Sequence, residues 1–216
     1  MRIIAFGDIH MNPERIGTIP ALAQADLVIV TGDLTNFGTW AEADKVLGRL
    51  TTINPRLLAL AGNLDYPQVE TGLAAAGLSL HGRGVIRQKI GLFGAGGSNI
   101  TPFATPNEFS EEELAALLNT GYQMVANAER HVLVSHTPPL NTITDLIASG
   151  IHVGSLAVRN FIEKEQPDLC LCGHIHEGRG IDTIGRTTVI NPGMLQDGGW
   201  IEITATADAI TSSLHP

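Results

Sequence analysis

The chain has 216 residues, of which 44 % are hydrophobic and 16 % charged, with a mean hydropathy of +0.14. This is core material enough for a single α/β domain spanning residues 1–216, and it excludes a disordered chain. The net charge of −9 argues against tight binding of long nucleic acids through a basic surface, and no apolar run is long enough to span a bilayer.

Met1–Phe6 enters a strand at once, with no signal-peptide pattern, so a cytoplasmic location is expected. Arg2–Phe6 forms that strand and ends in Gly7-Asp8-Ile9-His10. Pro13 to Gln24 reads as a helix, with Gly17 and Pro20 disturbing its shape. Asp26–Val30 is the second strand, followed by Thr31-Gly32-Asp33 and Asn36. Trp40–Leu50 has helical periodicity, with Val46, Leu47 and Leu50 inward. A third strand, Arg56–Leu60, ends in Gly62-Asn63-Leu64-Asp65, and a helix from Pro67 to Ala76 follows.

The middle changes character. Val85–Ile90 and Leu92–Phe93 predict a hairpin or meander rather than another strand–helix unit. Gly94–Asn99 is glycine-rich, but prolines rather than a helix follow it, so a flexible loop beside the cleft is expected instead of a dinucleotide loop. Ser110 and Glu113 form a capping box for a helix running toward Arg130, with Glu111–Glu113 as a solvated acidic face. His131–Val134 is a strand ending in Ser135-His136, and Ser155–Glu165 is a helix that Pro167 stops. Leu169–Cys172 is a strand leading into Gly173-His174-Ile175-His176. Arg179–Ile184, Thr187–Ile190 and Trp200–Thr204 read as meandering β, with Asn191-Pro192-Gly193 as a turn. The two cysteines, Cys170 and Cys172, alternate along an apolar strand, which favours a reduced pair over a disulfide or a zinc half-site.

Five apolar strands therefore end in metal-ligating residue types: Asp8/His10, Asp33, Asn63/Asp65, His136 and His174/His176. Ligands of open α/β sheets bind beyond the carboxyl ends of the strands. Each residue alone has an ordinary reading as a turn, a cap or a core histidine; together they point to one site. Four imidazoles, two carboxylates and an amide exceed the needs of one catalytic zinc ion and suit two metals sharing a carboxylate. Mixed N/O ligation fits manganese, iron or zinc better than magnesium.

Asp8-x-His10, Gly32-Asp33, Gly62-Asn63, His136 and Gly173-His174-x-His176 resemble, in order, the motifs of the calcineurin-like metallophosphoesterases, over residue 1 to about Gly193. The compact chain is similar to the prokaryotic branch of that family. The resemblance implies a four-layer α/β/β/α sandwich with two mixed sheets and a dinuclear metal site at their carboxyl edge. One metal would take Asp8, His10, Asp33 and His176; the other would take Asp33, Asn63, His136 and His174, with Asp33 bridging. The implied reaction is hydrolysis of a small phosphate ester, a diester ahead of a monoester, by a hydroxide between two divalent ions. Homo-oligomer formation stays open.

Departures from the pattern matter. Leu64 stands where the family has a histidine that contacts phosphate and helps protonate the leaving group. His152 is a candidate substitute for that acid, and Asp65 matches an acidic position that orients the neighbouring loop. Asn36 stands where many members have a second aspartate, and Gly94–Asn107 is expected to shape selectivity. His81, His131 and His215 fall outside every motif. The rival expectation is a weak or inactive scaffold that keeps the fold, as in the retromer subunit that resembles these enzymes.

Overall fold

The computed structural model describes residues 1–216. In chain order the strands and helices are β1 (Arg2–Phe6), β2 (Leu27–Val30), α1 (Trp40–Ile53), β3 (Leu57–Ala59), α2 (Pro67–Ala75), β4 (Arg83–Arg87), β5 (Ile90–Ala95), β6 (Ser98–Asn99) and β7 (Glu108–Phe109). These are followed by α3 (Glu111–Gln123), β8 (Arg130–Ser135), α4 (Leu156–Glu165), β9 (Leu169–Leu171), β10 (Gly180–Ile184), β11 (Thr187–Asn191), β12 (Trp200–Ala205) and β13 (Ile210–His215).

The large strands form two mixed sheets. One has the order β13-β12-β1-β2-β3, the other β10-β11-β9-β8-β5-β4. Within them β1, β2 and β3 are parallel neighbours, as are β5, β8, β9 and β11. Parallel strands covered on both faces read as unbroken apolar runs, and β1, β2 and β9 do so. Alternation along β1 then divides the core: Ile4 and Phe6 face α1 and α2, while Ile3 and Ala5 face the second sheet. On that sheet Leu92, Val132, Val134 and Leu171 point to the inter-sheet layer, and Phe93, Leu133 and Cys170 point to α3 and α4. Three apolar layers thus separate four layers of structure, α/β/β/α. Each fully buried Ile, Leu or Phe contributes roughly 1.5–3 kcal/mol.

Helix starts follow local chemistry. Thr39 and Glu42 close a capping box on α1, and Ser110 and Glu113 close one on α3. Ser155 caps α4 by accepting from Val158 N at 3.2 Å.

Several expectations need correction. Pro13–Gln24 is not one helix but two 3-10 segments, Pro13–Thr18 and Leu22–Gln24, because Pro20 and the positive φ of Ala21 (57°) interrupt it. The β4–β5 hairpin turns at Gln88 and Lys89, both at positive φ, so its turn precedes Ile90. Helix α3 stops at Gln123, short of Arg130. In place of the flexible loop expected over Gly94–Asn99, Gly94–Ala95 ends β5, Ser98–Asn99 is β6, and the buried Gly96–Gly97 link is held by Gly97 N on Ala61 O and Gly96 N on His81 Nδ1. Glu111 does not face solvent alone; it accepts from Ser155 Oγ at 2.6 Å and Ala157 N at 2.7 Å, docking α3 on the start of α4. His81, His131 and His215 each have a structural partner: Gly96 N, the Val125 carbonyl and the stacked Trp200 ring. Both cysteines are free, buried and pushed to a high thiol pKa by burial. No helix is long and apolar enough to cross a membrane.

Candidate metal centre

The parallel strands β1, β2, β3, β8 and β9 deliver their following residues to one edge of the two sheets. The loops after β1 and β2 are laced together by Asp8 N to Gly32 O at 3.0 Å and by Ile9 N and His10 N to Asp33 O at 2.9 and 3.0 Å. Asp8, His10, Asp33 and His174 all have positive φ, between 47° and 66°. Asp and His tolerate this region better than most residues, and it turns each side chain inward directly after its strand.

Two close approaches require glycine. A Cβ on Gly32, itself at φ +132°, would lie 2.3 Å from His136 Nδ1. One on Gly62 would lie 2.0 Å from Asp33 Oδ1. Any side chain at either position would displace a candidate ligand.

Partners assign the protons on the imidazoles. His136 Nδ1 lies 3.1 Å from the Thr31 carbonyl, so it carries hydrogen and its Nε2 faces inward. Asn63 Nδ2 donates to Thr105 Oγ1 at 3.1 Å, which aims Asn63 Oδ1 at the same point. His136 Nε2 is 3.1 Å from that oxygen and 3.6 Å from Asp33 Oδ2. His10 Nδ1 lies 2.7 Å from Asn36 Oδ1, whose Nδ2 returns a bond to His10 O at 3.3 Å. His10 Nε2 is thereby turned to His176 Nε2 at 3.1 Å, Asp8 Oδ1 at 3.8 Å and Asp33 Oδ2 at 3.9 Å. His176 Nε2 reaches Asp8 Oδ1 at 3.4 Å.

Electron-pair donors therefore converge at two points, an arrangement suited to a proton or a metal ion. Asp8, His10 and His176 form one group whose ligand atoms lie within 4.8 Å of one another, and Asp8, Asp33 and His136 form a second. His174 stands outside both groups; its backbone N donates to Asp8 Oδ1 and Oδ2 at 3.2 Å each, and its ring lies 5.3 Å from that of His136. The donor set fits divalent ions held by imidazole, carboxylate and amide.

The electrostatics agree. Burial pushes the His136 imidazole down, but the charges of Asp33, Asp8 and Asp65 outweigh it and raise it to about 9. Burial and the neighbouring His136 charge hold His174 down at about 4, so it stays neutral with a free lone pair. Asp33 is lowered despite burial, by His136 and His10.

Asp65 does not face the cleft. It is fully buried and accepts from Leu34 N, Thr35 N, Thr35 Oγ1 and Gly62 N at 2.7–3.1 Å, tying the Asp33 loop to the Asn63 loop. Burial, with the Asp33 charge second, raises it to about 6. Leu64 donates its N–H to Asp33 Oδ1 at 2.9 Å, and its side chain is half-buried. His152 lies on an exposed stretch of the loop after β8, its Nδ1 2.7 Å from Asp145 Oδ1.

Sequence reasoning missed Asn191. It is buried at the end of β11, and its Nδ2 donates to the carbonyls of Gly173, Ile175 and Thr144 at 3.2, 2.8 and 3.2 Å, fixing the loop that carries His174. The signal was available: a polar residue directly after an apolar strand, as at the other five.

A family model described as calcineurin-like phosphoesterase matches residues 1–178. An uncharacterized protein of Methanocaldococcus jannaschii is 38 % identical over 201 residues, 89 % of this chain and 88 % of that one. A dimetal phosphatase from Danio rerio has a TM-score of 0.69 at 11 % identity, covering 99 % of this chain and 95 % of that one. A novel archaeal phosphodiesterase has a TM-score of 0.56 at 14 % identity, with 100 % of each chain covered. These two structural likenesses establish a shared fold.

Proposed function

The chain belongs to the calcineurin-like phosphoesterase family, and from that premise we propose that it hydrolyses small phosphate esters, diesters ahead of monoesters, with two divalent ions. The observation that carries this reading is the pair of convergent donor groups at one sheet edge. One ion is assigned to Asp8, His10, Asp33 and His176, the other to Asp33, Asn63, His136 and His174. Asp33 is taken as the shared ligand because its Oδ2 lies within 4 Å of Nε2 of both His10 and His136. Manganese, iron or zinc suits the mixed donors. Held by these side chains, two such ions would lower the pKa of a water toward neutrality and offset the negative charge of the phosphoryl oxygens.

The chain's own groups prepare that chemistry. Thr31 O and Asn36 fix the imidazoles so that lone pairs face inward, and second partners of this kind set ligand orientation. Leu64 offers phosphate no hydrogen-bond donor, which disfavours the dianionic monoester more than the singly charged diester. Phe37, Tyr66, Ile100 and Phe103 are exposed on the loops after β2, β3 and β6, apolar surface suited to the organic groups of a diester.

The test is metal analysis of purified protein with turnover of bis(p-nitrophenyl) phosphate in added Mn²⁺. About two ions per chain with turnover is expected. Bound metal without turnover of any ester would instead favour the scaffold reading that Leu64 invites.

A further inference from the structure

One titratable pair on this edge has no role in the site described so far. The chain from Thr137 to Gly154 loops out after β8, and the carboxylate of Asp145 lies wholly buried within it. Asp145 accepts from the backbone N–H groups of Asn141, Thr142 and Gly154 at 3.1, 2.8 and 3.0 Å. Those bonds suffice to satisfy a buried carboxylate and hold the loop. Its Oδ1 nevertheless takes a further partner, His152 Nδ1 at 2.7 Å. That imidazole is not core: its side chain is 37 % exposed, against 0 % for Asp145. With the Nδ1 hydrogen given to Asp145, the ring is fixed and Nε2, on its far side, is the free end. A carboxylate that orients an imidazole in this way prepares it for proton transfer.

The loop is clamped between the two segments that carry His136 and His174. On one side Asn99 joins them, its Nδ2 donating to Val153 O at 3.2 Å and its Oδ1 accepting from Thr137 Oγ1, beside His136, at 2.8 Å. Gly154 lies so near the Pro138 carbonyl that a Cβ there would sit 2.6 Å from it. On the other side Asn191 gathers Thr144 O together with Gly173 O and Ile175 O, the carbonyls that flank His174.

Resting on the phosphoesterase reading, we propose that His152, positioned by Asp145, gives the leaving oxygen its proton, the task that Leu64 cannot perform. In that step water supplies the oxygen that bonds to phosphorus. The P–O bond to the leaving alcohol breaks with its electron pair on that oxygen, and the proton passes to it from His152 Nε2. The proton removed from water restores His152, so one water is consumed and a phosphomonoester and an alcohol are released. Asp145 keeps its charge throughout and acts as a positioning residue.

The test is a series of aryl methyl phosphates whose leaving phenols range from p-nitrophenol to phenol, turned over by manganese-loaded wild type, His152→Ala and Asp145→Asn. Metal content and melting temperature are measured for each. A positioned acid contributes about 10²–10⁴-fold, and a good leaving group needs it least. His152→Ala is expected to lose about 100-fold or more on the phenyl ester and on the order of tenfold less than that on the p-nitrophenyl ester. Asp145→Asn should shift selectivity in the same direction, with metal content unchanged in His152→Ala. An equal loss across the series, or none, with a folded and metal-replete His152→Ala protein would overturn the proposal. No turnover of any ester by wild type would remove the phosphoesterase reading itself.

Discussion

Asp33 Oδ2 faces His136 Nε2 across 3.6 Å, both side chains are buried, and each sets the charge of the other. Burial alone would neutralise both, yet their attraction lowers the carboxyl and raises the imidazole to about 9. The protein has thus built a place that demands positive charge. A proton satisfies it when no ion is bound.

Asp33→Ala is expected to reduce bound metal from about two ions per chain to less than one, since Asp33 Oδ2 borders both groups of donors. Elemental analysis after dialysis against metal-free buffer reads this directly. Two tightly held ions in the variant would show that Asp33 is not shared.

Metal uptake should release protons, because a ligand must be deprotonated to bind. With His136 at about 9, the free protein carries its proton at pH 7, and binding must expel it. Apparent affinity should rise as pH rises toward 9, by up to about tenfold per pH unit for one proton. Titration calorimetry in buffers of different ionisation enthalpy measures the number, and a value of zero would contradict the assignment.

Leu64→His should act as a second-site rescue. Introduced into His152→Ala, it is expected to restore phenyl ester turnover by at least about tenfold, since it returns an imidazole to the rim beside Asp33. In the otherwise unchanged protein its effect should be small. A large gain in both backgrounds alike would mean that the acid function had been missing altogether.

Glu70 gives a pH signature in stability, away from the metal. It is partly buried, paired with Ser79 Oγ, and burial raises it to about 7. The folded state therefore favours the protonated form. Its contribution is complete below about 4.5 and is lost as pH rises through about 7. Glu70→Gln should flatten the melting temperature between pH 5 and pH 8, removing a difference on the order of 2 kcal/mol. An identical pH dependence in both proteins would assign that slope elsewhere.

Most of the side chains that converge at the candidate site could be read in advance because they are polar residues following apolar strands, a contrast visible without coordinates. Asn191 escaped because Asn191-Pro192-Gly193 is also turn chemistry, and the turn is real: Gly193 N donates to Asn191 Oδ1 at 2.8 Å. Asp145 escaped because its local pattern, Thr142-x-x-Asp145, marks only a capping box; the folded loop adds Gly154 and His152. Strand β13 was invisible for a different reason. Ile-Thr-Ser-Ser-Leu-His is a polar edge strand, and its pairing with β12 supplies the regularity that its composition lacks. The failed Pro13–Gln24 helix shows that backbone restriction at Pro20 and Ala21 overrides apolar spacing.

The four positive-φ residues at the candidate metal centre carry a cost as well as a purpose. Each such non-glycine conformation forfeits about 1–2 kcal/mol, so this edge of the sheets is held taut by contacts elsewhere and by whatever charge sits between its side chains. Stripping the ions should make this same edge the softest part of an otherwise stiff sandwich. Amide exchange around residues 8–10, 33 and 174 should quicken under chelation while β1 and β9 stay protected, so that readiness to react and readiness to fray are two expressions of one tension.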